Sequence, residues 1–220
     1  MQKSNNDKMV EILRQLKPEM HGAVVGAMES RGVKYGLSYG VAVPVIRRVA
    51  GKYAPDHALA EYLFRQDVRE LKLAAVYIDD PEQVTAEQMN RWADAMPTDE
   101  VMEHAAMNLF YASPDADDVI REWLAGGERS RWKGALQMAG RRAMRGMVRE
   151  AEGEMYLSGI GKLIAAHEVP QRAVVFALQR LADVSPGLKD KVLAFAEQLK
   201  KHENPSLREI GEEIEAFLAY

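Results

Sequence analysis

The feature that most constrains this sequence is a succession of apolar residues at helical spacing, interrupted at short intervals by proline, glycine and capping residues. Side chains three and four positions apart lie on one face of an α-helix. Three clear stripes of this kind are Val174/Ala177/Leu178/Leu181, Leu188/Val192/Phe195/Leu199 and Leu207/Ile210/Ile214/Phe217. Each stripe predicts an amphipathic helix with one buried face.

Short polar residues and prolines predict where the helices begin. An N-cap side chain accepts a hydrogen bond from a backbone N–H that the helix leaves unpaired. The expected N-caps are Asp56, Asp67, Thr85, Thr98, Ser185 and Asn204. Thr85 and Gln88 have the spacing of a capping box, and Pro18 suits the first turn of a helix over residues 19–30. Residues 31–43, with three glycines and two tyrosines, predict a loop.

The fold class follows from the helix count. About twelve or thirteen helices joined by short polar turns can be assigned, and no run of strand-like alternation occurs. This pattern favours an all-α fold, an α-solenoid of antiparallel helix pairs forming a single domain over residues 1–220. A compact helical bundle is the alternative, because the sequence has no strict repeat period.

Composition excludes several classes of function. The chain has no cysteine, so it has no disulfide, thiol nucleophile or cysteine–zinc site. Neither a signal peptide nor an apolar run of membrane-spanning length is present, which favours a cytoplasmic protein without a membrane partner. Glu100 and His104 share a helical face, but no third ligand accompanies them, so no metal site is predicted. No phosphate-binding or dinucleotide-binding glycine motif indicates a cofactor.

One segment is strongly basic in a chain of net charge −4. Residues 129–149 contain seven Lys or Arg and no acid, so the remainder carries 22 basic and 33 acidic residues, or −11. A helical stripe is formed by Trp132, Ala135, Leu136, Ala139, Ala143 and Met147. The opposite side is formed by Arg131, Arg141, Arg142, Arg145 and Arg149. The segment predicts a packed helix, or a helix and its successor, with a guanidinium face directed to water or to a polyanion.

The segment from Tyr39 to Ala50, YGVAVPVIRRVA, resembles the YGV-x-VP-x-(L/I)RR-(I/L)A signature of the AlkD-type DNA alkylation-repair family. Residues 67–81 are similar to the next block of that family, and Trp92 suits the block after it. The resemblance implies HEAT-like, armadillo-like helical repeats. It also implies a DNA glycosylase that removes cationic alkylated purines without metal or cofactor and holds double-stranded DNA by its backbone on a basic concave face.

The same resemblance assigns candidate site residues. By position, Glu103 takes the place of the family's catalytic carboxylate, Asp99 that of an aromatic residue, and Lys133 that of an arginine. A carboxylate suits the reaction because it stabilises the positive charge that develops on the sugar and positions water. Trp132, next to Lys133, lies on the apolar stripe and is expected in the core.

Contacts to the DNA backbone are expected from the basic residues Arg47, Arg48, Arg131, Arg141, Arg142, Arg145 and Arg149. Whether the chain is an enzyme is open at this point. The alternative function is a non-catalytic helical scaffold that binds an acidic protein partner or structured nucleic acid.

Overall fold

The computed structural model of the 220-residue chain describes residues 3–30, 32–33, 35–166 and 168–219. Helix makes up 74% of the described residues, in thirteen α-helices and three short 3-10 helices. No β-strand occurs in these ranges, and extended pairing is limited to an isolated bridge between Leu37 and Val68. The all-α prediction is confirmed.

Contacts between Cα atoms divide the chain into two compact units, Met1–Pro114 and Asp115–Tyr220. The single domain expected for residues 1–220 stays a prediction. The first unit contains α1 (Asn5–Leu16), α2 (Gly22–Ser30), α3 (Val43–Ala50), α4 (His57–Phe64), α5 (Arg69–Ile78), α6 (Ala86–Asp94) and α7 (Asp99–Asn108). The second contains α8 (Ala116–Ala125), α9 (Arg129–Met144), α10 (Glu150–Ala166), α11 (Gln171–Ala182), α12 (Pro186–Lys200) and α13 (Pro205–Leu218).

The core of the first unit surrounds α5. Nine of its ten residues are buried, and only Tyr77 is half-exposed. Helix α5 packs against α3 on one side, α7 on another and α4 on a third. Behind it, the ring of Phe64 stacks on Trp92 at 3.8 Å and 4°, which joins α4 to α6. As a result, α3, α5 and α7 form one layer of neighbouring helices.

The second unit has two layers. Helices α9, α11 and α13 are neighbours in one layer, and α8, α10 and α12 are neighbours in the other. Consecutive helices such as α8 and α9 pack against each other across a short turn, as an antiparallel pair requires. Gly140 permits the close approach of α9 to α11, because a Cβ there would lie 2.5 Å from the Phe176 ring. This arrangement is the helical-repeat architecture predicted from the sequence.

Four of the six expected N-caps are confirmed by their hydrogen bonds. Asp56 accepts from Leu59 N at 3.0 Å, and Ser185 accepts from Leu188 N at 3.1 Å. Thr85 and Asn204 likewise accept from backbone N–H groups of their own helices. Prolines at the first turns of α12 and α13 fix the helical φ in advance.

The other expected starts are corrected by the structure. Thr98 precedes α7, but its hydroxyl bonds the Tyr35 hydroxyl at 2.6 Å and not the helix. Asp67 is not an N-cap, because α5 begins at Arg69 and its N-cap is Val68. Gln88 does not complete a capping box, since its amide donates to Asp79 at 2.6 Å. Pro18 lies in a 3-10 helix, so α2 begins only at Gly22.

Candidate nucleic-acid interface

The signature segment forms the end of the loop that leads into α3, and α3 itself. Gly40 has φ +71°, and a Cβ there would lie 2.3 Å from the backbone oxygen of His21, so only glycine fits. Pro44 occupies the first turn of α3, and Ile46 is fully buried. Arg47 and Arg48 are therefore left exposed near the C-terminal end of α3.

Two buried charged residues of α5 hold this loop. The Glu70 carboxylate accepts from the backbone N–H groups of Tyr39 at 3.1 Å and Val41 at 3.2 Å. Arg69 donates to the Val41 carbonyl at 2.9 Å and to Glu70 at 3.0 Å. Because the loop's backbone groups are paired with α5, the start of α3 has a fixed position.

The same arginine reaches α7. Its Nη2 and Nε donate to the two carboxylate oxygens of Glu100 at 2.5 and 2.9 Å, and the Tyr35 hydroxyl also donates to Glu100. Burial alone would raise the pKa of Glu100, but the hydrogen bonds from Arg69 and Tyr35 outweigh it and lower that pKa. Glu100 is thus an ionised anchor between the loop, α5 and α7.

Helix α7 also carries the two acids assigned from the resemblance. Asp99 is exposed and Glu103 is half-buried, one helical turn apart. Their neighbour His104 bonds the Tyr77 hydroxyl through Nδ1 at 2.8 Å. The Arg47 guanidinium lies over the Tyr77 ring, 5.7 Å from its centroid.

Tyr77 was missed by the sequence analysis. The available signal was its place in α5, since it lies off the apolar stripe of Leu71, Ala74, Ala75 and Ile78. A large aromatic residue off the buried stripe of a helix is directed toward a neighbouring helix or toward solvent.

Arg142 is the clearest error of the sequence analysis. Its side chain is buried, with 7% of the residue exposed, and its Nη2 donates to Asp117 at 2.8 Å. The Tyr156 hydroxyl donates to the other oxygen of Asp117. Helix α9 contacts both α8 and α11, so it has two buried sides, and position 142 faces α8. The prediction that this guanidinium faces solvent is wrong.

The other basic residues of the segment lie nearer to solvent. Arg131, Lys133 and Arg141 are half-buried on α9, and Arg145 is exposed just beyond its end. Arg149 is exposed and donates through Nε to Glu152 at 2.9 Å.

The apolar stripe is confirmed at Trp132, whose indole N–H donates to the Gly126 carbonyl at 3.2 Å from a buried ring. It is wrong at Met147, which is 41% exposed. The reason is that α9 ends at Met144, and Gly146 then takes φ +66°. The helical spacing therefore does not extend to residue 147.

The catalytic assignments are divided between the units: Asp99 and Glu103 belong to the first and Lys133 to the second. Their catalytic roles stay predictions. Across the described ranges, no three potential metal ligands lie together. No helix in those ranges has the length and hydropathy needed to cross a membrane.

Comparison with known proteins gives two matches. The family model described as DNA alkylation repair enzyme matches residues 24–209. One solved structure superposes with a TM-score of 0.71 and 19% sequence identity over 94% of this chain and 93% of its own. It is described as a new family of proteins related to the HEAT-like repeat DNA glycosylases with affinity for branched DNA structures. No curated protein matches the chain.

Proposed function

Because the chain belongs to the DNA alkylation repair enzyme family, we propose that it is a cytoplasmic protein that binds DNA through phosphate contacts. The contacts come from arginines in both units. They are Arg47 and Arg48 of the first unit and Arg131, Arg141, Arg145 and Arg149 of the second. Arg142 supports the arginines of α9 from inside, since its ion pair with Asp117 holds α9 against α8.

The observation that carries the proposal is the fixed exposure of Arg47 and Arg48. Exposed arginines are common on protein surfaces, but these two follow a loop whose backbone is bonded by the buried Glu70 and Arg69. A buried charged network is costly unless its groups are fully paired. A buried network that fixes so short a loop also fixes the orientation of the helix after it. This supports a function in which the arginines of that helix must point in one direction. Phosphate contacts of this kind set the position of a protein on DNA.

We propose branched DNA as the preferred form. The solved structure with the same fold has affinity for branched DNA structures. A protein that contacts phosphates alone gains more contacts where several duplex arms meet than on a linear duplex, because more strands pass within reach.

The test is a binding competition between a four-way junction and a linear duplex built from the same sequences. We expect the junction to bind more tightly at every salt concentration. If neither form binds at moderate salt, the arginines contact no phosphate, and a scaffold for an acidic protein partner becomes the better function.

Base excision is a second candidate function, supported by the family itself. We propose that Glu103 is its carboxylate, with Asp99 as a second acid in place of an aromatic residue and Lys133 as a phosphate contact. Loss of the aromatic ring removes a cation–π partner worth about 0.5–2 kcal/mol for a cationic base. Lysine also supplies a point charge where an arginine supplies a bidentate fork. These exchanges predict slow excision.

A further inference from the structure

Three side chains from alternate helices of the first unit meet at its surface. Arg47 comes from α3, Tyr77 from α5 and His104 from α7, and these helices are neighbours in one layer. The Arg47 guanidinium lies 5.7 Å from the centroid of the Tyr77 ring, and the His104 ring meets the same tyrosine edge-on at 5.9 Å and 62°. The tyrosine is thus held between a cation and a second ring.

The protonation states of the pair can be assigned. Burial raises the pKa of the Tyr77 hydroxyl and lowers the pKa of His104. At neutral pH the phenol therefore keeps its proton and the imidazole is neutral, and a hydrogen bond of 2.8 Å joins the Tyr77 hydroxyl to Nδ1 of His104. This hydrogen bond holds the phenol oxygen of Tyr77 against α7.

The acidic residues near the cluster do not form ion pairs with Arg47. Glu100 is bonded by Arg69 and Tyr35, and Glu103 is a half-buried residue of α7. Within the described ranges no carboxylate forms an ion pair with Arg47, whose contact is with the tyrosine ring. One face of the guanidinium is therefore directed to an aromatic ring, and the residue as a whole is exposed.

We propose that Arg47 and Tyr77 form a platform on which an unpaired nucleobase stacks. Bases that lie outside a duplex stack on arginine planes as well as on aromatic rings, and such stacking tolerates any base because every base has a π-face. The positive charge of Arg47 opposes a cationic alkylated purine, so the ligand is a neutral base. The proposal rests on the DNA binding proposed above, and it adds the contact that distinguishes unpaired from paired DNA.

The test uses a duplex with one unpaired 2-aminopurine, whose fluorescence falls when the base stacks. Binding is followed separately by the anisotropy of a dye at the far end, and fluorescence is read at saturating protein so that affinity does not enter. We expect the wild-type protein to quench the unpaired 2-aminopurine. Arg47→Lys keeps the charge but removes the plane, so quenching should be lost. Arg14→Lys is the matched control, with the same exchange at an exposed arginine of α1 that is not among the proposed DNA contacts, and quenching should remain.

Substitutions at residue 77 test the ring separately. Tyr77→Phe keeps the ring and should keep the quenching, whereas Tyr77→Leu should lose it while the anisotropy still reports binding. Quenching by Arg47→Lys equal to that of the wild type overturns the platform. DNA binding without any quenching by the wild type also overturns it, but leaves the proposed function intact. Absence of binding to any DNA contradicts the proposed function itself.

Discussion

Gly40 shows how one residue of the signature is fixed by geometry. It combines a left-handed backbone with an approach to the His21 carbonyl that leaves no room for a Cβ. Gly146 has a similar φ, +66°, but no atom within 4 Å of a Cβ position. A comparison of the two positions therefore distinguishes the free-energy cost of the left-handed backbone from that of the close approach.

We predict that Gly146→Ala lowers the free energy of unfolding by about 1–2 kcal/mol, the cost of a left-handed alanine. Gly40→Ala should cost clearly more, because the methyl group must also displace the backbone of residue 21. Urea denaturation of both variants measures the difference. Equal losses would mean that the approach at Gly40 relaxes without cost and that its glycine is required for φ alone.

Glu103 carries the catalytic prediction. Glu103→Gln removes the negative charge that would stabilise an oxocarbenium-like sugar but keeps the side chain's size. We expect the wild-type protein to release N3- or N7-methylpurine slowly from duplex DNA, and the variant to lose most of that release while its DNA affinity is unchanged. Released base is assayed by chromatography, with Asp99→Asn as the comparison on the same helix.

Two outcomes contradict this prediction. Release by Glu103→Gln at the wild-type rate excludes Glu103 as the catalytic group. No release by the wild type excludes the enzyme and leaves DNA binding as the function.

Among the elements, α9 shows why charge patterning misled. Its arginines look alike in the sequence, and a helical projection separates one polar side from one apolar side. A helix in a two-layer repeat packs on both layers, and α9 packs on α11 in its own layer and on α8 in the other. The spacing of residues along α9 does not show that Asp117 of α8 is the partner of Arg142.

We predict that one arginine of this segment contributes to stability and another to DNA binding. Arg142→Ala should lower the free energy of unfolding by roughly 2 kcal/mol, less than for a fully buried pair because a third of the Asp117 side chain is in water. Arg145→Ala should leave stability within about 0.5 kcal/mol of wild type and weaken DNA binding. Urea denaturation and DNA titration of both variants give the comparison.

The expected pattern fails if Arg145→Ala destabilises the protein as much as Arg142→Ala. That result would place Arg145 in the packing of the second unit.

Helix starts were predictable where the cap and a proline are adjacent in sequence. At α12 and α13 both signals are local, so distant residues cannot change them. The predictions failed where a distant partner competes for the capping side chain. Thr98 is bonded by Tyr35, and Gln88 is bonded by Asp79. A polar side chain bonds whichever partner the tertiary structure supplies, and the sequence does not show it.

For the whole molecule, periodicity was sufficient for the fold and insufficient for the site. The all-α architecture follows from stripes that each lie within one helix. The cluster of Arg47, Tyr77 and His104 exists only because α3, α5 and α7 are neighbours. These residues are thirty and twenty-seven positions apart, so no motif window contains them. The signature pointed to the arginines of α3 but not to the tyrosine beneath one of them.

The claim that this protein holds DNA by phosphate contacts is tested most directly by the salt dependence of binding. Each contact to duplex DNA releases counterions and contributes about −0.9 to the slope of log K against log salt concentration.

The comparison is between the wild type, the double variant Arg141→Ala/Arg145→Ala, and the control Lys162→Ala/Lys189→Ala. The control removes the same charge from exposed lysines of α10 and α12, in the other layer of the second unit. We predict a steep slope for the wild type and the control, and a slope flatter by up to about 1.8 for the arginine variant. Equal slopes for all three proteins would contradict the account, because the arginines would then contact no phosphate.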